Sequence, residues 1–274
     1  MENRTNKKAL AYFLGVSRST LYYQLKQPAK DWELKTEIEE VLHSHHSYGH
    51  KRIARHLKRN KKSVLRVMKL FGIKPYRRRR KPKDKGKTID LSDIHSNLLL
   101  KTDVFPRYPN HIWASDFTYI PYKTKFVYLA TVLDIFTREI VGFNVLTAHN
   151  NQLVINALLH AGANHSLPEI IHSDQGREYT SKDYLRIVKS MGIKISMSRK
   201  GSPWENGYQE AFYSQFKVDL GDPNRFDTLG ELIYNISQTI YSYNNDRIHS
   251  ALKMPPSVFA KRHQTQRSEC VICV

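Results

Sequence analysis

The stretch Ile112-Trp-Ala-Ser-Asp-Phe-Thr-Tyr-Ile-Pro-Tyr122 sets the fold. Its β-branched and aromatic residues are long enough for a strand that crosses a whole sheet, and a single carboxylate, Asp116, stands among apolar neighbours. An unpaired buried carboxylate is costly, so Asp116 needs a cation or a strong hydrogen-bonding partner. Two further β-rich runs follow after short breaks, Phe126–Ile135 and Ile140–Leu146. Three antiparallel strands are predicted.

Beyond them the period changes. Leu153, Ala157, Leu158 and Ala161 form a helical stripe, and Glu169-Ile-Ile-His-Ser-Asp174 is a short strand running into the polar turn Gln175-Gly176. Ser181–Met191 reads as a helix closed by Gly192, Ile193–Met197 as a fifth strand, and residues 204–219 and 228–244 as two more helices. An order of three strands and then alternating helices and strands is an α/β layered sheet of the ribonuclease H type, with five mixed strands.

Upstream of this core the composition differs sharply. The 274-residue chain holds 44 Lys and Arg against 25 Asp and Glu, a net charge of +19 and a pI near 9.8. Residues 1–90 hold 25 of those basic residues and 8 of the acids, so one third of the chain carries almost all the excess. Such a charge points to a polyanion partner. Leu10 and Leu14, a turn at Gly15-Val16-Ser17, then Leu21 and Leu25 predict a helix-turn-helix, with Ser17 as N-cap and Arg18 at the start of the second helix, where base edges are met. A second, basic helical pair is predicted from Asp31: an amphipathic helix whose acids are read as a solvated face, then Ile53 and Leu57, and a helix capped by Ser63 and stopped by Gly72. Arg52 and Arg55 belong to its phosphate-facing surface. Lys74–Lys87 has nine basic residues, one acid and two prolines, which predicts an extended arm; Arg77, Arg78, Arg79, Arg80 and Lys81 suit a minor groove or a line of phosphates. The expected organisation is 1–30 helix-turn-helix-like, 31–73 basic helical segment, 74–105 arm and linker, 106–262 catalytic core and 263–274 tail.

Other classes are excluded or weakened. Both cysteines, Cys270 and Cys273, lie at the C-terminal end and cannot staple a core, which suits a reducing compartment. No run is long enough to span a membrane, and Ala9–Val16 lacks a small-residue cleavage site after it, so a cytoplasmic, nucleoid-associated protein is expected. His43, His45, His46, His50 and His56 have no cysteine near them to complete a zinc site.

The chemistry is sought in three acids. Asp174 closes the fourth strand, at the kind of strand end where open α/β sheets place their sites. Glu210 opens a helix that Phe212 and Phe216 pin to the core, with Asn206 one turn before it and Lys217 two turns after, near the same face. Taken singly, each acid could be a cap or an ion-pair partner. Brought together, three hard oxygen donors favour Mg²⁺ or Mn²⁺, and two such ions would suit in-line attack on a phosphodiester.

Asp116 in Trp-Ala-Ser-Asp-Phe-Thr-Tyr, Asp174 in His-Ser-Asp-Gln-Gly and Glu210 after 35 intervening residues resemble the Asp, Asp, Glu signature of the retroviral-integrase-like transposases. Tyr48-Gly-His-Lys-Arg-Ile53, the Glu210 and Lys217 pair, and Tyr243-Asn-Asn-Asp-Arg-Ile-His-Ser-Ala-Leu252 with Pro255-Pro256 resemble the second-frame (OrfB) product of bacterial insertion sequences of the insertion-sequence-three family, over about residues 5–260. The resemblance implies a transposase that binds two Mg²⁺ ions at Asp116, Asp174 and Glu210, cleaves one strand at terminal inverted repeats and joins the freed 3′ hydroxyl to target DNA without a covalent intermediate. It implies double-stranded DNA as substrate, Lys217 and Asn206 beside the DNA, a homo-oligomer, and a possible upstream-frame (OrfA) partner or fusion. A nuclease of the same fold, or a catalytically silent DNA-binding regulator, is the competing reading. The sequence departs from the family pattern at Glu205-Asn206-Gly207, where Asp-Asn-Ala is common, and at Arg177-Glu178-Tyr179, where Gln often precedes Tyr; neither change removes a ligand.

Overall fold

A computed structural model describes residues 7–22, 27–76, 95–100, 104–199 and 202–271. The chain forms two compact units, Met1–Pro75 and Tyr76–Val274.

The first unit contains α1 (Lys7–Phe13), α2 (Gln27–Ser44), α3 (His50–His56) and α4 (Lys61–Leu70). Leu34, Ile38 and Val41 of α2, Tyr48 before α3, Ile53 and Ala54 of α3, and Val64, Val67 and Met68 of α4 make its core. The four residues 57–60 turn α3 into α4, with Lys58 in the left-handed region (φ 54°), and Gly72 (φ 67°) ends α4 as expected. Three expectations are corrected here. Among the described residues the start of the second helix of the first pair is a 3-10 turn, Arg18–Tyr22; Leu10 and Leu14 are exposed, and Leu25 lies outside the described residues. Seven residues of α1 are too few to hold a buried face unaided. The cap of α4 is Asn60, whose Oδ1 accepts from Lys62 N at 2.8 Å, rather than Ser63. The acids of α2 are not merely solvated: Asp31 is buried and takes both Arg66 Nη atoms at 2.5 Å, and Glu37 takes Arg59 at 2.7 Å. These pairs tie α2 to the turn and to α4. Of the five histidines, His45 stacks on Tyr48 at 4.4 Å and meets His56 edge to face at 5.7 Å.

The second unit is a mixed five-stranded sheet with helices, the ribonuclease H-like fold. Strands β1 (Ile112–Tyr122), β2 (Lys125–Asp134) and β3 (Ile140–Leu146) are antiparallel neighbours, while β4 (Ile170–Ser173) and β5 (Lys194–Met197) run parallel to β1, in the order β3-β2-β1-β4-β5. Helices α5 (Asn151–Asn164) and α6 (Lys182–Ser190) supply one core cluster, with Trp113, Val132 and Ile171. Helices α7 (Gly207–Leu220) and α8 (Leu229–Asn245) supply the other, with Ile112, Leu129 and Ile170. Alternating side chains of β1 thus feed two cores, which is why its sequence is apolar almost throughout. A Cβ at Gly142 would lie 2.5 Å from Ala157 O and 2.6 Å from Ala161 Cβ, so β3 and α5 touch backbone to backbone at that glycine.

Residues 95–100, expected in the linker, belong to the catalytic unit: Leu98 N donates to Ser196 Oγ at 2.9 Å, and Leu98 and Leu99 pack on the core. A last helix, α9 (Pro256–Val271), runs through much of the expected tail. No helix among the described residues is long and apolar enough to cross a membrane.

Candidate active site

Strand β4 pairs with β1 only at Ile112, Trp113 and Ala114. Asp116 follows two residues later, where the two strands part, and Asp174 follows the last residue of β4. One ladder therefore brings two acids distant in sequence to one sheet edge.

Each acid is held from the backbone. Phe117 N donates to Asp116 Oδ1 at 2.8 Å, and Gly176 N donates to Asp174 Oδ1 at 2.9 Å. A Cβ at Gly176 would lie 2.9 Å from Asp174 Oδ1 and 3.0 Å from Glu178 Oε2, so a side chain there would displace both carboxylates. Helix α7 closes the site through residues that the sequence reading did not single out. Gln209, fully buried, donates from Nε2 to Ala114 O at 2.6 Å and accepts from Thr131 Oγ1 at 3.0 Å. Tyr213 donates its hydroxyl to Asp116 O at 2.6 Å. A stripe of Gln209, Phe212, Tyr213, Phe216 and Leu220 is thus buried and Glu210 is left exposed on its flank. The signal was present as helical spacing, but a buried Gln reads as surface.

Burial pushes the Asp116 carboxyl up to about 7; the charges of Asp174 and Glu210 add to the rise, while the Phe117 N–H and the Lys217 ammonium oppose it. Asp174 is also raised, first by burial and then by Glu178, against the Gly176 N–H. Asp116, Asp174, Glu210 and Lys217 are therefore parts of one electrostatic neighbourhood. Among the described residues, no three His, Cys, Asp or Glu side chains are closed around one point as a finished metal cage. The arrangement is a coupled pair of strand acids, with Glu210 acting on it from α7.

Two residues beside Asp174 were not anticipated. Glu178 Oε1 lies 2.9 Å from His149 Nε2, and the His149 ring is stacked on Tyr128 at 5.1 Å and tilted against Phe117 at 4.9 Å. Nothing in local spacing signals a contact between the loop after β3 and the turn after β4.

The remaining expected residues are dispersed. Asn206, expected near the face of Glu210 and beside the DNA, is buried in the 3-10 turn before α7, its Oδ1 without a hydrogen-bond partner. Next to it, Glu205 is enclosed: Arg199 N donates to Oε2 at 2.9 Å, Arg199 Nε to Oε1 at 2.8 Å and Asn97 Nδ2 to Oε2 at 2.6 Å. His172 pairs with Ser196 Oγ at 2.9 Å, and burial lowers it to about 4, so it is a neutral core histidine. Arg247 is buried against Asp219 at 3.0 Å. Arg18, Arg52 and Arg55 belong to the first unit, where Arg18 and Arg55 are exposed and Arg52 lies 5.8 Å over the Tyr48 ring. Arg77, Arg78, Arg79, Arg80 and Lys81 lie outside the described residues.

Comparison with known proteins agrees with this geometry. Models of the integrase core domain match residues 106–203 and 191–256. The transposase for insertion sequence element IS904 of Lactococcus lactis is 35% identical over 239 residues, covering 83% of this chain and 92% of that protein. The transposase for insertion sequence element IS629 of Shigella sonnei is 27% identical, covering 85% and 79%. Among solved structures, the simian T-cell lymphotropic virus intasome in complex with a PP2A regulatory subunit has a TM-score of 0.51 at 18% identity, covering 80% of this chain and 73% of that one, a likeness of fold. With that fold, two acids at one strand fork and relatives matched over most of their length, the chain belongs to the DNA transposases of bacterial insertion sequences that carry an integrase core domain.

Proposed function

We propose that Asp116, Asp174 and Glu210 are the catalytic carboxylates of a metal-dependent DNA strand cleavage and strand-transfer reaction at the ends of the element. The observation that carries this reading is the β1–β4 fork, which brings Asp116 and Asp174 to one sheet edge; there burial first, and then the charges of Asp174 and Glu210, make Asp116 harder to ionise, an environment that a cation would relieve. The donors are hard oxygens, which fit Mg²⁺ or Mn²⁺, and these three residues would hold two ions. Bound there, such ions supply activation of a hydroxyl and stabilisation of the leaving 3′ oxygen. The protein's own part is positioning. Phe117 N–H and Gly176 N–H fix one oxygen of each strand acid, Tyr213 and Gln209 fix β1 behind them, and Lys217 draws a phosphodiester toward Asp116. Water or a DNA 3′ hydroxyl forms the new P–O bond as the old 3′ oxygen leaves, in one in-line displacement with no covalent enzyme intermediate.

In the first unit, α4 follows a four-residue turn from α3 and carries exposed Lys61, Lys62 and Lys69, so it, rather than the 3-10 turn near Arg18, is the helix suited to a DNA groove. The basic run 77–81, outside the described residues, has the charge to contact further phosphates. Action as a homo-oligomer on terminal inverted repeats and target DNA, with an upstream-frame product as partner or fusion where one exists, in the cytoplasm at the nucleoid, completes the reading.

A strand-joining assay tests it, using labelled DNA that ends in the repeats flanking the gene, with Mg²⁺ or Mn²⁺ and a preprocessed 3′ end. Wild type is expected to give joined product, and Asp116→Asn, Asp174→Asn and Glu210→Gln each to lower it at least a thousandfold while still binding DNA. Hydrolysis without joining would identify a nuclease. Substantial joining by any variant would remove that residue from the site.

A further inference from the structure

Tyr119 lies on β1 three residues beyond Asp116, about 10 Å farther along the strand. Its side chain is 57% exposed. Phe126 of β2, 49% exposed, meets it edge to face, with ring centroids 5.5 Å apart and planes at 82°. From α7, Lys217 Nζ stands 5.1 Å from the centre of the Tyr119 ring. That same ammonium acts on the Asp116 carboxyl. Three elements thus deliver two exposed rings to one cation, and this ammonium is what links them to Asp116, since an odd step of three along β1 turns the Tyr119 and Asp116 side chains to opposite faces.

The packing of the core does not account for this pair. On the same strand Ile120 and Tyr122 are buried, and Tyr119 and Phe126 contribute to neither core cluster. A single exposed ring is ordinary, but two rings fixed against each other form a rigid apolar surface that loses little freedom on taking a ligand. Its setting selects the ligand. A strand whose phosphate is drawn to Lys217 and the site at Asp116 has its neighbouring base within reach of Tyr119, and every base offers a π-face to such a ring. The contact between Lys217 and an exposed ring is weak beside an ammonium–phosphate pair, so a bound strand takes the cation and leaves the ring face to the base.

We propose that Tyr119, backed by Phe126, is a stacking platform for one unpaired base of the reacting DNA strand. This rests on the reading of Asp116 as the reaction site and adds a positioning residue that the carboxylates do not provide. A platform of this kind holds a frayed end open and tolerates any base, leaving sequence choice to other parts of the chain.

The test uses the full chain and duplexes ending in the flanking repeats, with 2-aminopurine placed in turn at each of the last nucleotides of either strand, in EDTA so that no reaction occurs. Wild type is expected to change the fluorescence through stacking at one terminal position. Tyr119→Ala is expected to abolish that change and to weaken binding of the frayed end about tenfold or more. Tyr119→Phe and Tyr119→Trp keep both, and the thermal transition stays put because the ring is exposed. Asp116→Asn keeps the signal and loses joining, which separates failure of the platform from failure of the site. An unchanged signal in Tyr119→Ala, or its loss in Tyr119→Phe, overturns the proposal.

Discussion

Asp116 and His172 are two buried ionisable groups displaced in opposite directions. Asp116 has its folded value raised to about 7 from 3.8, so the folded state holds the proton more tightly than the unfolded one, and its contribution to stability is full below pH 4 and lost as pH rises to 7. His172, lowered to about 4 from 6.5, contributes stability above pH 6.5 that is lost as pH falls toward 4. The two slopes oppose each other over the same interval. Asp116→Asn is therefore expected to stabilise the metal-free protein at pH 8 by on the order of 4 kcal/mol and to change it little at pH 4. Urea denaturation of both proteins in EDTA at the two pH values checks this. Added Mg²⁺ is expected to raise the wild-type midpoint more at pH 8 than at pH 5.5, since ions bind the ionised acids, and to leave Asp116→Asn nearly unmoved.

At the scale of elements, β3 and α5 depend on one missing side chain. Gly142→Ala puts a methyl group into the backbone of α5 and is expected to cost about 2–3 kcal/mol, read as a lowered denaturation midpoint with an unchanged slope. Such close approaches mark what sequence shows and what it conceals. The strands of the core were legible to within a residue or two, because β-branched and aromatic runs bounded by Gly, Asn and Pro admit few other readings. Asp116 and Asp174 were legible for the same reason, as carboxylates at the middle and the end of strands. Helix starts were less so: Asn60 and Ser63 are both competent caps, and the helix begins at Asn60, whose Oδ1 accepts from Lys62 N. Pairs set by the meeting of distant loops, such as His149 with Glu178 or Asn97 with Glu205, leave no periodic trace and emerged only from the fold.

At the scale of the molecule the charge is divided by task. On the reading proposed above, residues 1–90 supply long-range attraction to phosphate, and residues 91–274, close to neutral with 19 basic and 17 acidic residues, supply a local arrangement of acids that would repel DNA if left uncompensated. Replacing Lys61, Lys62 and Lys69 together by Ala is expected to weaken DNA binding at low salt and to flatten the plot of log affinity against log salt, by about 0.9 for each phosphate no longer neutralised. Fluorescence anisotropy across a salt series measures it; an unchanged slope would place the grip elsewhere.

The fork between β1 and β4 also has a consequence in time. Its ladder joins Ile112 to Ile170, a closure across a long stretch of chain, and Glu210 is made later still. Such non-local pairings form late, after hairpins like β1–β2 that close locally. In a nascent chain the basic residues 1–90 are made before the strands that carry Asp116 and Asp174, so the acids are still apart when that charge is already in place. On the proposed reading, competence to cut comes only once that fork has closed and Glu210 has been added, so it follows the synthesis of the basic segment.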